Sequence, residues 1–132
     1  MPSPRLLDDR HQLAALFDEL AVAVAQLGAA AEVVMVGGAW MLWHFHRAAT
    51  QDVDSARRFD ANLREPIRRI AARHELAEHW LNDRASAFWP VTASFDECDV
   101  AFERPGLMVR TPPPDVIFIM KLDRSDPRTA RT

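Results

Sequence analysis

The chain has 132 residues, 48% hydrophobic and 27% charged, which is the composition of one globular domain and excludes a disordered or fibrous chain. A net charge of −3 and a pI near 5.9 exclude a global basic footprint for sequence-independent nucleic-acid binding, so any such contact must be local. No apolar run approaches the roughly 20 residues that span a bilayer. The start "MPSPRLLDDRHQ" lacks the apolar core and cleavage site of a signal peptide, so a cytoplasmic location without membrane contact is expected.

In chain order, Asp8 and Asp9 precede apolar positions Leu13, Leu16, Phe17, Leu20, Val24 and Leu27 at three-four spacing, and Gly28 follows. That is an amphipathic helix with a start and a stop. "AEVVMVGG" reads as a buried strand over 33–37 running into a glycine turn, and "AWMLWHFH" resumes with helix formers. "TQDVDS" predicts a strand over 51–55. Asn62 and Glu65 form a capping-box pattern with Pro66 in the first turn, and Leu63, Ile67, Ile70, Ala71 and His74 mark an apolar helix face. "HELAEHWLNDRASAFWP" is expected to add a short helix and a loop, with Trp80 and Trp89 packed. "ECDVAFERPGLMVRT" predicts a strand over 98–103, a Pro-Gly turn at 105–106 and a second strand. The single Cys98 falls in that run and is expected as a buried, inert thiol. Residues 116–124 suit a helix started by proline and Asp115, although "VIFIM" alone also suits a strand. The polar tail, 125–132, is read either as a flexible end or as a chain that stops before its last helices. The expected whole is a single α/β (α+β) domain over 1–132, a mixed sheet with helices packed mainly on one face.

Two local patterns carry chemistry. Gly37 and Gly38 have neither the Gly-Lys-Ser/Thr of a Walker loop nor the third glycine of a dinucleotide fingerprint. They leave a strand-to-helix turn, which is either only a turn or a place where helix-start amides receive a phosphate. Asp52 and Asp54, two apart in an expected strand, would point to one face while Val53 faces the core. Two crowded carboxylates repel, and Mg²⁺ shared with phosphate oxygens offsets this; two solvated acids at a strand end are the plainer alternative. A haloacid-dehalogenase-like phosphatase fits poorly, because "RAATQ" rather than an apolar strand precedes Asp52. Glycosyltransferases with Asp-x-Asp are usually far longer. His44 and His46, two apart on a helix, point apart and make a poor zinc pair.

The succession of a helix, "VVMVGGAWMLWHFHRAATQDVD", a long helix, a hairpin and "PDVIFIMKL" resembles the minimal nucleotidyltransferase fold of the DNA polymerase β superfamily. More narrowly it resembles the small bacterial DUF6036-type nucleotidyltransferases, relatives of the AbiEii and MenT toxins of type IV toxin-antitoxin systems. The resemblance covers about residues 30–124. It rests on Gly37 and Gly38, on Arg47, Thr50, Asp52 and Asp54 in an Arg-x-x-Thr-x-Asp-x-Asp run, on the "WLND" of Trp80 to Asp83, and on Lys121. Ala39 follows the second glycine where superfamily members often carry Ser or Thr.

The resemblance implies an NTP substrate, Mg²⁺ or Mn²⁺ held by Asp52 and Asp54, and a third carboxylate on a neighbouring strand. Asp99 is the candidate if Cys98, Val100 and Phe102 face the helices; Asp96 and Asp83 are rivals. Gly37, Gly38, Arg47, Thr50 and Lys121 are the implied nucleotide-binding residues, with Arg57 a further cation beside the acids. An RNA (tRNA) acceptor and an antitoxin partner follow by toxin analogy. A nucleotidyltransferase-fold module without catalysis, acting in binding or regulation, is the alternative.

Overall fold

The computed structural model describes residues 4–45 and 49–125. Asp9 accepts a hydrogen bond from the His11 amide at 2.7 Å and so starts helix α1 (Arg10–Gln26), as the spacing predicts. Just beyond its end Gly28 takes φ +70°, a left-handed conformation that terminates the helix at little steric cost. Strand β1 (Ala31–Val36) follows and runs directly into helix α2 (Gly37–Phe45). The two glycines are therefore the first residues of α2 rather than a separate turn.

Strand β2 (Val53–Ser55) is shorter than the expected 51–55, because residues 51 and 52 are taken up in a turn built on the Thr50 hydroxyl. The next helix also starts differently from the sequence pattern. Asp60, not Asn62, caps a 3₁₀ turn (Ala61–Leu63), from which α3 (Arg64–His74) continues. Glu65 reaches forward to Arg68 instead of back to a cap, so no capping box forms. Nor does His74 join the apolar face: it meets the carboxylate of Glu19 at 2.5 Å and ties α3 to α1.

Glu75 takes φ 59° and ends α3. The short helix expected after it is replaced by strand β3 (Leu81–Asn82) and a 3₁₀ turn (Arg84–Phe88). The hairpin forms as predicted, β4 (Asp99–Arg104) and β5 (Leu107–Thr111) joined through Gly106 at φ 96°, and α4 (Pro114–Ser125) is helical. No helix among the described residues is long and apolar enough to cross a membrane.

Among the described residues, the five strands make one mixed sheet in the order β3-β2-β1-β5-β4, with β1–β5 and β2–β3 parallel and the other two pairs antiparallel. Alternation along β1 sends Val33 and Met35 to one face and Val34 and Val36 to the other. The first face carries the larger core, where Phe17, Leu20 and Val24 of α1, Leu42 and Trp43 of α2, and Ile67 and Ile70 of α3 pack with Val53 and Val109. Trp80 is fully buried there and its indole N–H donates to the Ile67 carbonyl at 2.9 Å. Helix α4 packs on the second face, where Met120 joins Val34, Val36, Ala56, Ala85 and Cys98. Among the described residues, helices α1, α2 and α3 thus share one face and α4 covers the other.

Candidate active site

The end of β1 fixes the centre of the site. At Gly37 the backbone takes φ +68°, which swings the chain out of the sheet and starts α2 at the strand's carboxyl end. The first amides of α2 have no intrahelical partner and carry the positive end of the helix dipole. Asp54 is paired across the antiparallel β1–β2 ladder with Val36, so its side chain rises next to this helix start. A β-carbon placed on Gly37 would stand 3.3 Å from Asp54 Oδ2, and one on Gly38 would stand 3.0 Å from Thr50 Oγ1. Both glycines are the surfaces on which the site's oxygens rest.

Thr50 is held from two sides. Its backbone exchanges two 2.8 Å hydrogen bonds with Leu7, a fully buried residue ahead of α1. Its hydroxyl donates to the Asp52 carbonyl at 3.0 Å and accepts from the Asp52 amide at 3.4 Å, which fixes the turn that delivers Asp52. Asp52 is therefore placed by this turn rather than by strand alternation. Its Oδ2 lies 3.3 Å from an Nη2 of Arg84. Asp54 is half-buried, and among the described residues its carboxylate has no hydrogen bond or ion pair.

Asn82 completes the arrangement. It is Asp54's partner on the β3 side, and its Oδ1 accepts from the Arg84 amide at 3.1 Å and from Arg84 Nε at 3.2 Å. Arg84 is not singled out by the sequence patterns above, and Asn82 appears there only as one letter of the "WLND" run. The available signal was a buried polar residue in the "WLND" strand with an arginine two places on.

The other sequence candidates fall elsewhere. Asp99 pairs with Thr111, and an irregularity in the β4–β5 register between Val100 and Phe102 puts Phe102 opposite Val109 in the larger core. Thr111 shares a face with Val109, so Asp99 lies on the α1–α2 face while Asp54 shares the opposite face with Val36. The expected convergence of Asp52, Asp54 and Asp99 on one face does not occur, because the strand does not alternate regularly from Cys98 to Phe102. Asp83 is engaged by the Phe59 amide at 2.9 Å, and Asp96 sits exposed in a turn capped by Ser94. No group of three His, Cys, Asp or Glu side chains among the described residues is placed to hold a metal ion.

Arg57 is bound to Glu32 at 3.5 Å and lies over the Phe95 ring. Lys121 is exposed on α4 next to buried Met120, on the same side of the sheet as Asp54. Arg47 and His46 lie outside the described residues. His44 packs on Trp40, with ring centroids 4.6 Å apart; burial and then Arg10 hold its imidazole below the usual value, and Asp99 acts in the opposite sense. Burial pushes the Cys98 thiol up, as suits an inert core cysteine. A cleft of ≈ 410 Å³ opens at the other end of β1, between Glu32 and Arg57 to Phe59, and none of the glycines or aspartates just described lines it.

A family model described as a nucleotidyltransferase of unknown function (DUF6036) matches residues 11–131. The chain belongs to this family. No curated protein and no solved structure matches it. The glycine pair, Thr50 and the two aspartates all fall inside the matched span of this DUF6036 protein.

Proposed function

We propose that this nucleotidyltransferase-family protein transfers a nucleoside monophosphate from an NTP to an acceptor hydroxyl, forming a phosphodiester as the α–β anhydride bond breaks and pyrophosphate leaves, using the α2 start, Asp54 and Asp52. One observation carries the reading: a half-buried carboxylate with no polar partner among the described residues, resting on Gly37 at a helix N-terminus. An unpaired acid beside a helix start, whose first amides lack intrahelical partners, suits a ligand that is anionic and accompanied by a cation. The donor chemistry fits Mg²⁺ or Mn²⁺, with Asp54 as the available oxygen ligand and Asp52 as the second. When bound, the cation would neutralise phosphate charge and polarise the reacting phosphoryl group.

The chain's own residues do the rest. The α2 amides receive phosphate oxygens, and Gly37 and Gly38 allow their close approach because no side chain intervenes. Thr50 brings a hydroxyl against Gly38, the kind of group that Ala39 does not supply. Lys121, a flexible point charge on the Asp54 side of the sheet, reaches toward the outer phosphates. The likeness to AbiEii and MenT adds a tRNA acceptor and an antitoxin partner to this proposal.

One observation favours a second reading, a binding or regulatory module of the same fold. Asp99 faces away from Asp54, and no third acidic side chain among the described residues joins the pair.

The experiment is incorporation of labelled NTPs into total tRNA with Mg²⁺ or Mn²⁺, comparing the parent with Asp54→Asn. Transfer by the parent and its loss in a variant that melts within a few degrees of it is the expected result. A parent that binds NTP and metal yet transfers nothing supports the binding module. If the parent shows no metal-dependent shift in melting and Asp54→Asn melts several degrees lower, both aspartates are structural.

A further inference from the structure

The Arg84 side chain is 62% exposed, which for an isolated surface pair would make its contact with Asp52 of little consequence. It is not isolated. Asn82 Oδ1 accepts from both the Arg84 amide and Nε, which aims the terminal Nη2 at Asp52 Oδ2. Asn82 is itself the strand partner of Asp54. The clamp therefore stands on the same short β2–β3 ladder as the acid it flanks, and it brings a permanent cation to one carboxylate of the pair while the other stays unpaired among the described residues.

We propose that Arg84, positioned by Asn82, is a phosphate-binding residue with two successive partners: it guards Asp52 before substrate arrives, and it passes to a phosphate oxygen when a divalent cation and an NTP enter. This rests on the transferase reading of the site. A guanidinium and a divalent cation cannot both take the same Asp52 oxygen, so the guanidinium lowers the site's affinity for metal alone. Phosphate then supplies the acceptor geometry that a guanidinium fork favours over a single carboxylate oxygen. The consequence is ordered loading, with metal bound weakly until it comes with nucleotide. Removing the arm affects the two ligands in opposite directions, which loss of a structural contact does not do.

The test uses the full chain and two probes: MnCl₂ alone, followed by the electron paramagnetic resonance signal of free Mn²⁺, and each of the four NTPs with excess Mg²⁺, followed by calorimetry. Arg84→Ala should bind Mn²⁺ about two- to fivefold more tightly, the range set by an exposed ion pair. The same variant should bind NTP at least about fivefold more weakly, as the loss of a charged hydrogen bond predicts. Arg84→Lys should keep the parent's weak Mn²⁺ binding while recovering NTP affinity only in part, since it retains charge without the fork. Asn82→Ala, which releases the arm but keeps its charge, should fall between parent and Arg84→Ala in Mn²⁺ affinity. Equal or weaker Mn²⁺ binding by Arg84→Ala overturns the proposal, and so does a parallel loss of both ligands. Asp54→Asn separates this from the underlying reading: if it leaves Mn²⁺ binding intact and the parent binds no NTP, the transferase site itself is refuted, whatever Arg84 does.

Discussion

Asp54 Oδ2 lies 3.3 Å from the position a β-carbon on Gly37 would occupy, so a strand residue and a helix-starting glycine share one small space. Gly37 serves two purposes there. Its φ of +68° turns the strand into the helix, and its missing side chain gives the carboxylate room.

Gly37→Ala meets both constraints at once. Left-handed backbone at a non-glycine residue costs about 1–2 kcal/mol, so the variant should melt roughly 3–8 °C below the parent. It should also displace Asp54 and weaken Mn²⁺ binding. A thermal melt paired with a Mn²⁺ titration checks this; an unchanged melting temperature would show that the turn does not need glycine.

Trp80 is the fully buried residue that precedes β3, and its indole N–H donates to the Ile67 carbonyl. Trp80→Phe removes the donor, costs that helical carbonyl its second hydrogen bond and opens space, which should destabilise by about 1–3 kcal/mol. Because β3 carries Asn82, NTP affinity should fall as well. Chemical denaturation gives the first number and calorimetry the second, and a variant as stable as the parent refutes the packing role.

His44 titrates below its usual value through burial and Arg10, with Asp99 opposing. The folded state therefore binds fewer protons than the unfolded chain. Stability attributable to His44 is full above the unfolded value near 6.5 and is lost as pH falls from there toward the lowered folded value. Arg10→Gln should raise the His44 pKa and Asp99→Asn should lower it further, as read by NMR titration of the imidazole. The opposite order would remove these two charges as its neighbours.

Lys121 is exposed on α4, on the Asp54 side of the sheet. Lys121→Ala should weaken Mg²⁺-dependent NTP binding by about fivefold or more. Its melting temperature should stay within a few degrees, since an exposed charge contributes little to folding. Equal NTP affinity in the two proteins returns Lys121 to the surface of α4.

What the sequence determined by itself is what short-range chemistry encodes. The three-four spacing from Leu13 to Val24, the Asp9 cap and Gly28 define α1; Pro105-Gly106 defines the hairpin; a β-branched run ending in glycines defines the β1–α2 junction. Each of these needs only neighbours within a turn or two. The tertiary structure decided which side chains share a face and which partners they take. One irregularity in the β4–β5 register reverses the side-chain parity on which the placement of Asp99 depended, and no local pattern in "ECDVAFER" announces it. Thr50 is held by Leu7, and Asp52 by an arginine two places past the two-residue strand β3, from well beyond α3. Periodicity records which way a residue faces within its own element; which residue it faces depends on ladder register and chain return, and those are settled only when the whole sheet assembles.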